Sequence, residues 1–164
     1  MFEGFQERRR IKRLKKMYAP VHIPVTIRYH EGAHKLERHG ACYDLATTEN
    51  ITLKKNEFRI IPFGINMKLP EGFILLVAPR SSTYKKWSIL QTNSIGIIEN
   101  DYCGNDDIIG MPVKADKAIT IPAGTRIAQC WASVEPPIFD FTEVDDMECE
   151  SRGGYGSTGE QVTE

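Results

Sequence analysis

"RIIPFGINMKLPEGFILLVAP", residues 59 to 79, sets two apolar, β-rich runs on either side of Pro70-Glu71-Gly72. A proline and a glycine two positions apart at such a junction supply a turn, and the lengths of the flanking runs suit strands. The same rhythm continues outward. Upstream lie "VHIPVTIRY" and "NITLKKNEF"; downstream lie "SIGIIE", "MPVKA", "AITIPA", "RIAQCWASV" and "PIFDFTEV". A second turn signal, Pro122-Ala123-Gly124, separates "AITI" from "RIAQ", and both turns are expected to close hairpins. Many short strands at this spacing predict an all-β domain, a barrel or a sandwich. The one helical candidate inside this region is a single turn around "STYKKW", residues 82 to 87.

At 164 residues the chain is long enough for one domain with a real core and hardly for two. The pattern divides it into a basic N-terminal extension (1–20), a β-rich body (21–147) and a flexible C-terminal arm (148–164). Within the extension, residues 4 to 18 can form a helix that ends before Pro20, and "RRRIKRLKK" carries seven positive charges. Because the formal net charge is −1, the remainder carries about −8. A polyanionic partner for the body is therefore not expected, and no specific nucleic acid is predicted. A solvated helix or mobile arm is the reading of the basic segment, and no function or partner is assigned to it.

Cys42, Cys103, Cys130 and Cys149 are widely spaced and follow no apolar signal segment, which favours reduced thiols and a cytoplasmic setting. No run of about 18 apolar residues occurs, so no membrane span is predicted. The final "SRGGYGSTGEQVTE" has too few apolar groups to fold alone.

Residues 30 to 34, "HEGAH", match the zinc-protease pattern H-E-x-x-H. That chemistry needs both histidines on one helical face. Gly32 sits in the middle, strand-like "VTIRY" leads in, and "KLERHG" offers no apolar stripe. Loop residues are expected here, with no metal.

Five separated segments combine glycine, arginine, serine and carboxylate as a phosphate-handling site would: "GACYDLA" (40–46), "APRSSTY" (78–84), "NSIGIIENDYCG" (93–104), "AGTRIAQ" (123–129) and "SRGGYGSTG" (151–159). In content, order and spacing they resemble the five motifs of the trimeric all-β dUTPases. The match runs from about Val21 to Gly159, and "PRSSTYKKWSILQTNSIGII" resembles the branch of Gram-positive bacteria and their phages.

The resemblance implies a distorted β-barrel of jelly-roll type, a homotrimer with shared active sites, and hydrolysis of dUTP to dUMP and pyrophosphate. It implies that Arg80, Ser81, Ser82 and Gln129 bind phosphate, the arginine through its planar charged fork. Arg126 would support the site or the subunit contact. Asp44 would orient neighbouring groups or the water shell of a magnesium ion. Asn93 would meet the uracil edge in a tight hairpin, and Tyr102 would lie under the deoxyribose and reject a 2'-hydroxyl. In the arm, Arg152 would clamp the terminal phosphate and Tyr155 would cover the uracil, while Gly156, Ser157 and Thr158 would surround the phosphates. Mg2+ would be held by substrate phosphates and water, with no direct protein ligand.

At the position of the family's catalytic aspartate stands Glu99. It would still activate the attacking water, from one methylene further out, where about 1 Å of misplacement can cost on the order of a hundredfold in rate. Either the backbone adjusts, or the protein binds dUTP and turns it over slowly. Asp101, Asp106 and Asp107 are read as solvated turn residues. Thr125, where the family often has an acidic residue, is expected to weaken a support contact. The alternative class is a dUTP-binding regulatory or interaction protein on the same scaffold. A related deaminase would need a glutamate within "NDDIIGMPVKA", which has none.

Overall fold

The computed structural model describes residues 22–154. The basic segment and Tyr155, Gly156, Ser157 and Thr158 lie outside them.

The described residues form twelve strands and one short helix: β1 (Thr26–Tyr29), β2 (Glu37–His39), β3 (Cys42–Ala46), β4 (Ile51–Leu53), β5 (Phe58–Pro62), β6 (Ile65–Lys68), β7 (Phe73–Pro79), α1 (Thr83–Trp87), β8 (Ile89–Gln91), β9 (Gly96–Ile98), β10 (Gly110–Ala115), β11 (Ile119–Ile121) and β12 (Arg126–Val134). All pairings are antiparallel. The largest sheet runs β2-β3-β12-β7-β9; a second runs β5-β10-β8; β1 pairs with β6 and β11 with β4. The all-β expectation holds, and α1 sits where "STYKKW" placed a turn of helix.

Alternation explains the core. In β10, Met111, Val113 and Ala115 are fully buried while Pro112 and Lys114 face outward. Phe63, Ile61, Leu45, Ile121 and Ile127 join them in one apolar cluster. No helix among the described residues is long and apolar enough to cross a membrane.

Three local expectations need correction. Pro70-Glu71-Gly72 does turn the chain, with Gly72 at φ 80°, yet β6 pairs with β1 and β7 with β12 and β9. The turn therefore passes the chain between sheets and closes no hairpin, and Pro122-Ala123-Gly124 does the same between β11 and β12. "PIFDFTEV" is not a strand: residues 135–144 are irregular, and Ile138 and Phe141 are 93% and 90% exposed. Conversely β2 forms within "KLERHG", because the two-residue turn Gly40-Ala41, with Gly40 at φ 66°, folds it against β3.

Candidate functional site

β12 carries a bulge: Arg126 pairs with Ala46 and Ala128 with Leu45, so Ile127 is an extra residue. Ile127 and Ala128, neighbours in sequence, are both fully buried. This shift of phase brings Arg126 and Gln129 to the same outer side, although three positions separate them. The register then lines up Glu37, Asp44, Gln129 and Ala78 in one row across β2, β3, β12 and β7.

The bulge also fixes the start of "RSST". The Ile127 carbonyl accepts from the Arg80 amide at 3.3 Å and from the buried Thr83 hydroxyl at 2.6 Å. Arg80 is thereby held at the end of β7, where its Nε lies 3.0 Å from Asp44 Oδ1. The Asp44 side chain is only 4% accessible; Arg126 Nη1 approaches its Oδ2 to 3.3 Å and His39 Nε2 to 3.8 Å. Neither contact to Oδ2 has hydrogen-bond geometry, and that oxygen has no hydrogen-bond partner among the described residues. A buried carboxylate so placed holds guanidinium groups in position. Arg126 in turn donates to His39 Nε2 at 2.8 Å. Beside this group lies a polar cavity of about 300 Å3, lined by His34, Lys35, Glu37, Asp44 and Arg126 among others. Gln129 donates to the Pro79 carbonyl at 3.3 Å. Ser82 is the N-cap residue of α1 and Ser81 is exposed just before it. Below the row, burial pushes the Cys130 thiol up to about 12, with Cys42 and Asp44 adding to the shift.

A second cavity, of about 410 Å3, opens elsewhere on the chain, and its wall includes Asn93, Gly96, Glu99, Asp101, Tyr102 and Ile60. The loop that carries these residues is not the expected β-hairpin. β9 pairs with β7, whereas β8 and β10 belong to the other sheet, so residues 99–109 cross between sheets. Turn bonds shape the crossing: the Tyr102 amide donates to Glu99 O at 3.2 Å and the Gly104 amide to Asp107 Oδ2 at 2.6 Å. Tyr102 also donates its hydroxyl to Ile108 O at 3.4 Å.

The loop is anchored from beneath by Asn66, a buried residue of β6. Asn66 Nδ2 donates to Gly104 O at 2.8 Å, which turns its Oδ1 toward His30, and His30 Nε2 is hydrogen-bonded there. Arg28 Nη1 adds a bond to Asn105 Oδ1 at 2.7 Å. His30 thus serves the loop, and "HEGAH" forms a turn and irregular chain with no helix, as the loop reading expected.

The expected residues therefore fall into two groups. Asn93, Glu99 and Tyr102 share the cavity of about 410 Å3; Asp44 and Gln129 stand on the ladder row with Arg80 held beside Asp44, and none of those three lines that cavity. Arg152 is exposed in an irregular segment. Asp101 is an exposed turn residue, as expected, and also borders the cavity, while Asp107 caps a turn. Thr125 forms its own support, donating through its hydroxyl to Pro122 O and through its amide to Thr47 Oγ1. Sequence reasoning missed Asn66, His30 and His39, whose partners lie 36 or more positions away or across a strand pair.

The dUTPase family model matches residues 30–159. A SPbeta prophage-derived deoxyuridine 5'-triphosphate nucleotidohydrolase of Bacillus subtilis is 42% identical over 126 residues, covering 77% of this chain and 88% of that protein. A deoxyuridine 5'-triphosphate nucleotidohydrolase of Lactococcus lactis is 32% identical over 74% of this chain and 83% of its own. Among solved structures, the dUTPase of Staphylococcus bacteriophage 80alpha with dUPNHPP shares the fold at a TM-score of 0.70 and 22% identity, over 83% of this chain and 98% of that one. The chain belongs to the dUTPase family, and its similarity to a prophage protein puts it with the phage-like branch.

Proposed function

We propose that the protein hydrolyses dUTP to dUMP and pyrophosphate, limiting uracil incorporation into DNA and supplying dUMP for thymidylate synthesis. The observation that carries this reading is the cavity of about 410 Å3 with Asn93, Glu99 and Tyr102 in its wall. It is large enough for a nucleoside and joins an amide, an aromatic ring and a carboxylate. Asn93 meets the uracil edge and Tyr102 supports the deoxyribose. Glu99 takes a proton from water as the water oxygen bonds to the α-phosphorus, while the bond to the bridging oxygen breaks and pyrophosphate leaves. Arg80, Ser81, Ser82 and Gln129 hold the phosphates, with Asp44 positioning Arg80. From the arm, Arg152 and the segment Tyr155, Gly156, Ser157 and Thr158 close over the substrate.

The residues present fit a magnesium ion carried in by the substrate and not one caged by protein. The buried Asp44 is committed to Arg80, and no cluster of three ligating side chains occurs among the described residues. The ion neutralises phosphate charge when bound. A homotrimer with shared sites is favoured by two features. The phosphate-side and base-side groups do not line one cavity within the chain. In addition, Phe58 and Ile60 of β5 are 59% and 60% exposed, and Ile60 borders the base-side cavity, so a neighbouring subunit would cover apolar surface next to the site. In chain order the body of this unit is 21–147, with the arm at 148–164 and the basic extension at 1–20.

Pyrophosphate release from dUTP by the purified full-length chain, with and without magnesium, tests the reading. Magnesium-dependent turnover is expected. Tight dUTP binding with release no faster than buffer would instead favour a binding protein. A Glu99→Asp variant is expected to be at least as fast as the natural chain, since it restores the shorter carboxylate.

A further inference from the structure

Gln91 lies at the end of β8, next to the base-side cavity, and belongs to none of the segments assigned a role above. Its Nε2 donates twice, to Val77 O at 3.2 Å and to Asn93 Oδ1 at 2.9 Å. Its Oε1 is buried and has no hydrogen-bond partner among the described residues. Those three facts fix the orientation of two amides in sequence. Val77 O is a main-chain carbonyl and can only accept, so it must face the NH2 end of Gln91, even at the cost of an unpartnered Oε1. The same NH2 then requires an acceptor from Asn93, which turns Asn93 Oδ1 toward Gln91. The donor end of the Asn93 amide is left for the cavity that Asn93 lines.

From this geometry we infer that Gln91 is a positioning residue that sets the choice of base, acting through Asn93. An outward NH2 complements the carbonyl oxygen at position 4 of uracil and opposes the amino group that cytosine carries there. Were Asn93 free to rotate, its Oδ1 could accept from that amino group, and the site would lose the distinction. The inference rests on the reading that Asn93 meets the base edge.

Dissociation constants for dUTP and dCTP, measured with the full-length chain, test it. The natural chain is expected to prefer dUTP. Gln91→Leu keeps the bulk, frees the Asn93 amide and is expected to reduce that preference about tenfold or more. Gln91→Glu presents an acceptor to Asn93, draws its NH2 inward and is expected to move the preference further toward dCTP. Asn93→Asp, with Gln91 intact, places an acceptor in the cavity and is expected to shift the ratio in the same direction, which keeps the test alive if the Gln91 variants unfold. A merely structural role would weaken both nucleotides equally. A preference in folded Gln91→Leu within about twofold of the natural ratio, or Asn93→Asp leaving the ratio unmoved, would overturn the inference while leaving dUTP as substrate. A natural chain that binds both nucleotides equally would overturn it together with the reading of Asn93.

Discussion

The two halves of the site are built from different physics. On the phosphate side, charged groups stand on a strand ladder: Arg80 and Arg126 converge on a buried Asp44, and a bulge in β12 sets their phase. On the base side, neutral amides at strand ends and in a crossing loop do the orienting, Gln91 upon Asn93 and Asn66 upon Gly104. In the function proposed, the first arrangement would hold positive charge for a triphosphate and should tolerate little loss. The second fixes donor and acceptor directions, which should cost less to disturb and, on the inference above, bears more on selection than on holding the fold.

Variants can break this contrast. The largest effect is expected from Glu99→Gln, which removes the proposed proton acceptor: turnover should fall by about 10²–10⁴-fold while affinity for a non-hydrolysable dUTP analogue changes little. Single-turnover rates beside analogue titrations check it. Asp44→Ala strips the buried partner from two guanidinium groups and should lower stability by about 3 kcal/mol, read from urea unfolding midpoints. Asn66→Ala leaves Gly104 O and His30 without their partner; a loss of about 1–3 kcal/mol and faster proteolytic cutting near residues 100–107 are expected. If Asn66→Ala proved costlier than Asp44→Ala, the contrast between the halves would be reversed.

The last effect is absent near neutral pH and emerges only in alkali. Because the folded-state value of Cys130 is raised from the ordinary 9.0 to about 12, its contribution to stability is fully present below pH 9 and is lost as pH rises toward 12. Unfolding midpoints should therefore decline across that window, and Cys130→Ala should remove its share of the slope.

Much of the fold was legible because alternation is local. "MPVKA" states its own buried face, and "STYKKW" its single turn. Pairing is not local, which is why Pro70-Glu71-Gly72 and Pro122-Ala123-Gly124 read as hairpins although each sends the chain to another sheet. "PIFDFTEV" has strand chemistry, but propensity states only what a residue tolerates; no ladder receives it within the described chain. In the site, the residues that resemblance marked were visible by type, while Asn66 and Gln91 were not. Ordinary amides have no signature until their partners are known, and Asn66 finds Gly104 38 positions away.

The extra residue in β12 gives that strand two reading frames. Across Ile127 the register slips by one, so that Arg126 and Gln129 lie on the same side of the sheet although one stands at an even position and the other at an odd one. Loss of Ile127 alone would leave every other letter of the strand unchanged and yet oblige Arg126 or Gln129 to face the core. Length changes near this point should therefore be tolerated only in compensating pairs, so the spacing between arginine and glutamine is protected by the packing beneath them, whatever lies above.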